Sequence, residues 1–440
     1  MREGSDVVLI RAKGYFSFEK APPIGITCIA SYISDKYSVK IFDRERNPNE
    51  DYVDFIKNKI VPLNPRIIGI SAVSAQIKDA LMIGRLASQY LPKAKIVFGG
   101  VHFSSVPEDG LKSGHAVIVG EGEVVFKELC GLPEERIKGV FYGRPLENLD
   151  EIPIPADEFI LASQEPKDGE YLFLSSRGCP FNCTYCLSRD SKQRQIRLHS
   201  IDYVVSYLQK VRQLYPDIKK VWFVDDVFIV NEERVIEFCD KSSKANLNFE
   251  YSFFAHANYV KKIALFKKMV RHNFNCVYIG IESGDNGILK KIKKNTTVEV
   301  IEKAVRILKK SGLYCVATYM IGNISETKKT VLDTINFSRR LGIPAIFNFA
   351  EPFPGTEFFN EVENEPQVGK RITEDFRSIN EITFVPRDLD EKTMLELRNE
   401  AEKYKPYKYL MSYYLKHPRK GLVKIKNRLN RLLVKAGRQR

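Results

Sequence analysis

The sequence predicts an α/β protein built from two successive units of parallel sheet. Short apolar runs alternate with helix-like stretches through the first 130 residues, an alternation typical of βαβ units. A proline-rich segment interrupts this pattern, and six further strand and helix repeats follow it. We therefore predict a doubly wound parallel sheet, then a partial (β/α)6 barrel of the TIM type, and finally a basic helical C-terminal tail.

The first unit, residues 1–130, has five predicted strands joined by crossover helices. The strands are Val7–Ile10, Val39–Phe42, Ile67–Ser71, Lys95–Phe98 and Val117–Val119. The helices are Ile24–Tyr37, Asp51–Ile60, Lys78–Tyr90 and Pro107–Lys112. Pro22 and Pro23 precede the first helix, where proline suits a helix start. These elements make one doubly wound domain.

Residues 131–168 are predicted to connect the two units. Glycines bracket an apolar run at Gly139–Gly143, which reads as a hairpin, and Ile152–Pro155 alternates isoleucine with proline. Clusters of glycine and proline are typical of turns and linkers. The second unit then covers residues 169–385, and the helical basic region covers residues 386–440.

The second unit repeats the strand and helix alternation. Its predicted strands are Tyr171–Ser175, Lys220–Phe223, Asn248–Phe253, Cys276–Ile281, Tyr314–Met320 and Ala345–Phe349. Its predicted helices include Ser200–Leu214, Glu232–Ser243, Val260–His272, Val298–Ser311 and Lys329–Leu341. A TIM barrel has eight such repeats, so six predict an open or partial barrel.

Composition excludes several classes of protein. The 440 residues are 44% hydrophobic, which is enough for folded cores. No apolar run approaches the roughly 20 residues that span a bilayer, and residues 1–14 lack the features of a secretory signal. We therefore expect a cytoplasmic protein, in which clustered cysteines are more often metal ligands than disulfides.

The net charge of +14 is uneven along the chain. From Lys403 onward lysine and arginine are frequent and acidic residues almost absent, and tyrosines, leucines and valines lie between the basic residues. Two interpretations stay open. The tail is either a solvated helix with one apolar face on the body, or a contact with an anionic surface such as a membrane or RNA.

Small residues follow three strands of the first unit, at the sheet edge where doubly wound domains bind ligands. They are Ser71, Ser74, the turn Gly99-Gly100-Val101-His102 and the turn Gly120-Glu121-Gly122-Glu123. Glycine lets the backbone approach a flat cofactor or a phosphate, although any one pair alone could be a simple tight turn. The first strand lacks a following G-x-G-x-x-G, so dinucleotide binding has no main support.

Three cysteines, Cys179, Cys183 and Cys186, are spaced C-x-x-x-C-x-x-C in the loop after the first barrel strand. A four-iron, four-sulfur cluster normally takes four thiolates, so three leave one iron open to another ligand. Zinc would need a fourth ligand, and His199 has no partner at finger spacing. The five other cysteines are scattered singly and are interpreted as buried thiols.

This loop, with its aromatic residue Tyr185, resembles that of the radical S-adenosylmethionine (SAM) superfamily. The resemblance implies a 4Fe-4S cluster whose open iron chelates SAM. It also implies reductive cleavage of SAM to a 5′-deoxyadenosyl radical, which takes a hydrogen atom from an unactivated position of the substrate. An electron donor such as flavodoxin or ferredoxin is implied as a partner.

Further motifs resemble the SAM contacts of this family. The residues concerned are Tyr185, Asp225, Asp226, Glu282, Ser283 and His256. The two aspartates resemble the turn that holds the methionyl ammonium, and Gly280–Gly284 resembles a G-I-E-S-G motif whose glutamate accepts from ribose hydroxyls. His256 stands where many relatives carry an arginine for the SAM carboxylate. A histidine there could donate a hydrogen bond or titrate near neutrality.

The first unit resembles the cobalamin-binding domain that precedes the barrel in a large (class B) subgroup of these enzymes. The resemblance adds Pro23 and Gly25 to the candidate residues Ser71, Ser74, Gly99, Gly100, Val101, His102, Gly120, Glu121 and Gly122. The D-x-H-x-x-G motif that supplies a cobalt ligand elsewhere is absent, as in this subgroup generally. His102 is either a cobalt ligand or a turn histidine bonded within the protein.

The two resemblances together imply cobalamin-dependent methylation of an unactivated carbon. Radical ring formation or rearrangement without methyl transfer is the alternative. A methylthiotransferase is disfavoured because its first domain would carry three further cysteines, and a non-enzymatic cobalamin sensor is the remaining option. We expect a small-molecule or lipid substrate, with the tail touching an anionic membrane rather than nucleic acid.

Overall fold

A computed structural model describes residues 5–14, 22–163, 166, 169–187, 195–371 and 381–416 of the chain. Two six-stranded parallel sheets, each covered by helices, form its two units. The predicted α/β class is therefore confirmed. The predicted basic helical region at the C-terminus lies partly outside the described residues, which end at Lys416.

The first sheet contains six strands in the order β2-β1-β3-β4-β5-β6, all parallel. They are β1 (Val7–Arg11), β2 (Val39–Asp43), β3 (Ile67–Ser71), β4 (Lys95–Gly99), β5 (Ala116–Val119) and β6 (Gly139–Tyr142). The strand order reverses between β1 and β3, which is where such sheets bind ligands beyond their carboxyl ends.

Helices cover both faces of this sheet. They are α1 (Ile24–Ile33), α2 (Tyr52–Asp54, continuing as a π-helix over Phe55–Ile60), α3 (Ile77–Tyr90), α4 (Val101–Ser105), α5 (Pro107–Leu111), α6 (Glu123–Cys130) and α7 (Asp157–Ser163). Alternate residues of β1 serve opposite faces, because Val8 and Ile10 pack with α3 whereas Val7 and Leu9 pack with α1 and α6. A doubly wound sheet results.

The hairpin predicted at Gly139–Gly143 is wrong. These residues form β6, which pairs parallel to β5 with Val119 opposite Tyr142, and the Gly143 amide closes the ladder on the Val119 carbonyl at 2.8 Å. Bracketing glycines mark where a run begins and ends but do not reveal its pairing partner. The run adds a sixth strand to the first sheet.

The second sheet follows the order β14-β13-β12-β11-β10-β7. The remaining strands in chain order are β7 (Glu170–Phe173), β8 (Ser176–Arg177), β9 (Arg197–Leu198), β10 (Lys220–Phe223), β11 (Glu250–Ala255), β12 (Phe274–Glu282), β13 (Tyr314–Ile321), β14 (Ala345–Phe349), β15 (Gly369–Arg371) and β16 (Phe384–Pro386). Strands β8 and β9 form an antiparallel ribbon beside the sheet, as do β15 and β16. Among the described strands β7 and β14 do not pair, so the barrel is open.

Helices accompany the second sheet, and most of them pack on one of its faces. They are α8 (Ile201–Leu214), α9 (Glu232–Lys244), α10 (Ile263–Arg271), α11 (Asn286–Lys291), α12 (Val298–Ser311), α13 (Lys328–Leu341), α14 (Glu357–Asn364), α15 (Glu391–Lys403) and α16 (Tyr407–Lys416). In β11, Tyr251 and Phe253 are buried in the core under these helices, whereas Ser252 and Phe254 are half-buried on the other face. We call that second, half-buried face the inner face.

Helix α16 packs across the amino-terminal end of the barrel. The Tyr409 hydroxyl accepts a hydrogen bond from the Cys315 amide at 2.8 Å, and the ring of Tyr413 lies 4.9 Å from that of Tyr314. Within the described part of the chain, no helix combines the length and the apolar character needed to cross a bilayer.

Candidate active site

The three predicted cluster cysteines lie in one loop, residues 178–187, which leaves β8. The loop begins at Gly178 with φ +93°, a left-handed conformation that favours glycine. The Thr184 amide donates to the Ile292 carbonyl, and the Phe358 amide donates to the Thr184 carbonyl, both at 3.0 Å. Two later barrel segments thus hold the middle of the loop in place.

The thiols of this loop influence one another. Cys183 is buried, and Cys179 and Cys186 are half-buried. Burial, with the charges of Asp226, Cys186 and Cys183, raises the pKa of Cys179 to about 11. Because the thiolate is the metal ligand, an iron bound here has to displace the Cys179 proton.

A buried ion pair lies beside the cluster loop. Glu282 ends β12 at φ +67°, and its Oε1 is 2.8 Å from the Nζ of Lys294. The same Nζ lies 3.3 Å from the Tyr185 hydroxyl. Burial alone would lower the pKa of Lys294, but the Glu282 carboxylate and the thiols of Cys183 and Cys186 raise it overall. A permanent positive charge therefore stands next to the predicted cluster ligands.

Sequence reasoning missed Lys294 because it belongs to the run Lys290–Lys294, which resembles a solvated surface. The one feature of the sequence that could have indicated this ion pair is Gly280. A Cβ added there would lie 2.7 Å from Oε1 of Glu282 and 3.0 Å from Nζ of Lys294. Glycine at this position lets the ion pair lie against the inner face of the sheet.

His256 supports the loop. Its ring stacks on that of Phe181, with centroids 3.7 Å apart, its Nδ1 accepts from the Asn258 amide at 3.3 Å, and its Nε2 lies 3.1 Å from the Lys294 carbonyl. These partners define a neutral ring with the proton on Nε2. Burial, then the charge of Lys294, lowers its pKa to about 3. The expectation of titration near neutrality is therefore wrong, and the predicted hydrogen bond from His256 to SAM stays a prediction.

Asp225 is fully buried and bonds within the protein. Its Oδ1 accepts from the amide and hydroxyl of Ser175, at 3.0 and 2.9 Å, and from the Ser176 hydroxyl. Burial, partly offset by these bonds, raises its pKa to about 6. It thus ties β10 to the approach of the cluster loop through Oδ1, whereas Oδ2 is buried without a hydrogen-bond partner among the described residues, and the predicted contact of Asp225 with the methionyl ammonium stays a prediction. Asp226 is exposed and acts on Cys179 as described above.

Ser283 is likewise directed into the protein. It is completely buried, and its hydroxyl lies 3.1 Å from that of Thr334 on α13. The Asp285 amide also donates to it, at 3.2 Å. These contacts place Ser283 between β12 and α13, and the predicted SAM contacts of Ser283 and Glu282 stay predictions.

A cavity of about 890 Å³ lies between the first sheet and the cluster loop. Eight of the eleven predicted cobalamin residues line it, namely Gly25, Ser71, Gly99, Gly100, Val101, Gly120, Glu121 and Gly122. The opposite side consists of barrel residues that sequence reasoning missed, namely Leu174, Arg177, Leu187, Gly355, Glu357 and Asn360. The cavity thus belongs to both units.

The cavity wall requires glycine at two points. Gly100 has φ +94°, and a Cβ there would lie 2.7 Å from Oγ of Ser71. Gly69 lies in the floor, where a Cβ would come within 2.7 Å of Leu9. Smooth, apolar and glycine-lined walls suit a flat macrocycle, so the residues present fit a corrin.

Pro23, Ser74 and His102 are not among the cavity-lining residues. The His102 ring is buried, with Nδ1 at 3.1 Å from the Ser74 hydroxyl and Nε2 at 3.1 Å from Asp109. Burial lowers its pKa despite the neighbouring Asp109. These contacts favour the interpretation of His102 as a turn histidine bonded within the protein, and its contact with cobalamin stays a prediction.

An ion-pair network joins the two units at the edge of the cavity. Arg177, directly before the cluster loop, donates to Glu121 at 3.0 Å and to Glu123 at 2.7 Å. Arg197 of β9 pairs with Glu121 as well. The Glu121 carboxylate is thus paired with two arginines. A bound cofactor would contact the backbone and the methylene groups of Glu121.

Two family models match the chain. The B12 binding domain matches residues 17–130, and the radical SAM superfamily matches residues 173–338. An uncharacterised methyltransferase of Pyrococcus horikoshii is 32% identical over 363 residues, which is 77% of this chain and 78% of that protein. The chain therefore belongs to the radical SAM superfamily, in the group that carries a B12-binding domain.

Other relatives are more distant. The anaerobic magnesium-protoporphyrin IX monomethyl ester cyclase of Rubrivivax gelatinosus is 24% identical over 85% of this chain and 72% of its own. The hopanoid C-2 methylase of Rhodopseudomonas palustris is 26% identical over 83% of this chain and 68% of its own. The solved cobalamin-dependent radical SAM enzyme OxsB has the same fold, with TM-score 0.73 and 19% identity over 91% of this chain and 66% of that one.

The chain is accordingly an enzyme, and its cofactors are a 4Fe-4S cluster, SAM and cobalamin. The three cysteines are the residues suited to hold the cluster, and the glycine-lined cavity is suited to the corrin. Both cofactors would meet where Arg177 and Leu187 flank the cluster loop and line the cavity.

Proposed function

We propose that the enzyme transfers a methyl group to an unactivated carbon of a small-molecule or lipid substrate. One observation carries this proposal: the cluster loop and the glycine-rich turns of the first sheet line a single cavity. When bound, the cluster and SAM supply a carbon radical, and the corrin supplies a methyl group beside it. A cavity common to both units puts these two chemistries within reach of one substrate.

The residues of the chain have definite roles in this proposal. Cys179, Cys183 and Cys186 hold the cluster, and the Lys294 ammonium is suited to an anionic group of SAM. Glu282 and Tyr185 orient that ammonium, as their distances of 2.8 and 3.3 Å indicate. An electron donor such as flavodoxin or ferredoxin would reduce the cluster.

The experiment uses SAM carrying a labelled methyl group, with anaerobically purified and reduced enzyme and lipid or metabolite extracts as substrate. Label entering a product together with formation of 5′-deoxyadenosine is expected. Formation of 5′-deoxyadenosine and a modified product without label would instead support a radical cyclase or rearrangement enzyme. The cyclase of Rubrivivax gelatinosus among the relatives makes this the second candidate.

Two other candidates have less support. A methylthiotransferase would need further clustered cysteines, but Cys28 and Cys130 of the first unit are separate, and burial raises the pKa of Cys130 to about 12. A non-enzymatic cobalamin sensor would not cleave SAM. Anaerobic incubation with SAM and a reductant tests the second, because any 5′-deoxyadenosine contradicts it.

We also propose peripheral contact of the C-terminal region with an anionic membrane. Thirteen Lys and Arg and no Asp or Glu lie between Lys403 and Arg440, which accounts for 13 of the net charge of +14. On α16 the side chains of Tyr407, Met411 and Leu415, four residues apart, are exposed. An apolar stripe beside basic residues is typical of interfacial helices. The name of the hopanoid C-2 methylase relative adds support for a lipid substrate.

A further inference from the structure

The inner face of the barrel sheet carries no charged side chain along most of its described length. Glu170, Lys220 and Glu250, which are in register, lie at its amino-terminal end, and Glu282 lies at its carboxyl end. Between them the strands present half-buried neutral residues, namely Trp222, Ser252, Phe254, Cys276, Tyr278, Gly280, Thr318, Met320 and Asn348. Helices cover the opposite face of this sheet. Packing within the protein does not explain why the inner face is left partly exposed and mostly uncharged.

Three aromatic rings on this face lie together. The rings of Trp222 and Tyr278 stack with centroids 4.8 Å apart and planes 22° apart. The Phe254 ring lies 5.4 Å from Trp222 and 5.6 Å from Tyr278. Each side chain is only half-buried, so part of the ring surface is free for a further flat group.

Small side chains lie between the aromatic residues of this face. Trp222 pairs in register with Ser252, which pairs in turn with Cys276, so these three positions form one layer across the sheet. The layer above it contains Phe254 and Tyr278. Tyr314 follows Cys276 in the same layer, so the two small side chains lie between aromatic residues.

The three aromatic rings lie on the same face of the sheet as the proposed SAM site. Gly280 follows Tyr278 on the same face of β12, and the Glu282–Lys294 pair lies directly over Gly280. A molecule lying on Trp222 and Tyr278 would therefore extend toward the ion pair without meeting a charge along the way.

We propose that Trp222, Phe254 and Tyr278 form the platform on which the substrate binds, and that the substrate body is an uncharged, apolar molecule with flat rings. Burying an unpaired ligand charge on this face would be costly, whereas ring stacking is favourable. The inference rests on the proposed function and adds the substrate class to it.

The test uses the intrinsic fluorescence of Trp222, which is the only tryptophan in the chain. The full-length enzyme, loaded with its cofactors, is titrated with 9-fluorenone, a flat neutral probe, and with 9-fluorenone-2-carboxylate, its charged counterpart. We expect saturable quenching by fluorenone and affinity at least about tenfold weaker for the carboxylate. Equal affinities, or no saturable quenching, would overturn the proposal.

Two further measurements separate the alternatives. The Tyr278→Leu variant should bind fluorenone about tenfold more weakly, whereas Tyr142→Leu, at a 72% exposed position on β6, should bind it normally. The retained corrin absorbance of both variants shows that each is folded. Tighter binding of 1-decanol than of fluorenone would overturn the flat-ring class in favour of an alkyl chain.

The outcome is independent of the proposed reaction because the titration involves no methyl transfer. Intact binding in an enzyme that never transfers label contradicts the proposed function alone. Labelled product from an enzyme that fails to bind fluorenone contradicts this inference alone.

Discussion

At the scale of single residues, Lys294 combines burial with a full charge close to the cluster ligands. Its ammonium is held by Glu282 and lies near Tyr185 of the cluster loop. Removing one partner of a buried pair leaves the other buried and unpaired, which is more costly than the loss of a surface pair. Any function of this site in binding SAM therefore depends on Lys294.

We predict that Lys294→Met lowers formation of 5′-deoxyadenosine by about two orders of magnitude, as expected when a charge that contacts the reacting ligand is lost. The measurement is anaerobic SAM cleavage, with cluster content determined from absorbance. Lys290→Met, at an exposed position of the same basic run, is the control and should cleave normally. A Lys294→Met enzyme with an intact cluster and normal cleavage would contradict the assignment.

Asp225 leads to a prediction about pH. Its folded-state pKa is raised from 3.8 to about 6, so the fold binds this proton more tightly than the unfolded chain does. The stability it contributes is complete below pH 3.8 and is lost as the pH rises through 6. Asp225→Asn should therefore raise the free energy of unfolding at pH 8 by about 3 kcal/mol.

Urea unfolding followed by Trp222 fluorescence measures this effect at pH 8 and at pH 4. The difference between wild type and Asp225→Asn should close toward pH 4, where Asp225 is protonated. Asp217→Asn removes an exposed carboxylate and should change neither value. A difference that is the same at both pH values would mean that Asp225 does not titrate as described.

At the scale of elements, an ion pair between Glu123 and Arg177 joins the start of α6 to the strand that precedes the cluster loop. The side chains of Arg177 and Glu123 are 15% and 4% exposed, so their 2.7 Å pair is shielded from water. This contact lies at the edge of the cavity that both units line. It fixes the cluster loop against the turn proposed to bind cobalamin.

We predict that Arg177→Glu and Glu123→Arg each weaken cobalamin binding by about tenfold or more, because each leaves like charges facing one another in a buried site. The double charge-reversed variant should recover part of the affinity, because it restores the pair with position 123 but leaves a glutamate at position 177 facing Glu121. Titration of each variant with cobalamin, followed by the corrin absorbance, measures the affinity. Arg144→Glu, in an exposed pair with Glu128, is the control; failure of the double variant to recover would argue against the pair as the determinant.

At the scale of the whole molecule, the structure changes how the C-terminal region has to be tested. Helix α16 contacts the barrel through Tyr409 and Tyr413, so truncation at Lys405 would remove a structural helix together with the basic tail. Truncation after Leu415 keeps these contacts and removes ten of the thirteen basic residues. It separates packing from surface binding.

We predict that the chain truncated after Leu415 loses co-sedimentation with anionic vesicles, whereas the full chain binds them and is released by salt. Neutral vesicles provide the control for charge, and intact SAM cleavage shows that the truncated chain is folded. Equal binding of both chains would remove the membrane proposal. Salt-sensitive binding to RNA in place of vesicles would replace it with a nucleic-acid contact.

The sequence by itself was sufficient for features that depend on local pattern. The alternation of apolar runs predicted eleven strands that the structure contains, with boundary shifts of a few residues, because burial imposes its period on neighbouring residues. The three cysteines could also be predicted to act together, because one short loop contains them all. Seven cavity-lining residues followed from the rule that parallel sheets bind ligands at their carboxyl ends, and Gly25 followed from the family resemblance.

Only the tertiary structure decided what depends on contacts between distant segments. Lys294 and Arg177 reach their partners from positions that read as surface charge, while Asp225, Ser283 and His256 turn inward although their motifs suggested SAM. The run at Gly139–Gly143 joined a sheet rather than folding on itself. Local sequence determines which groups a segment carries, but the orientation of each side chain depends on which neighbours the fold brings to it.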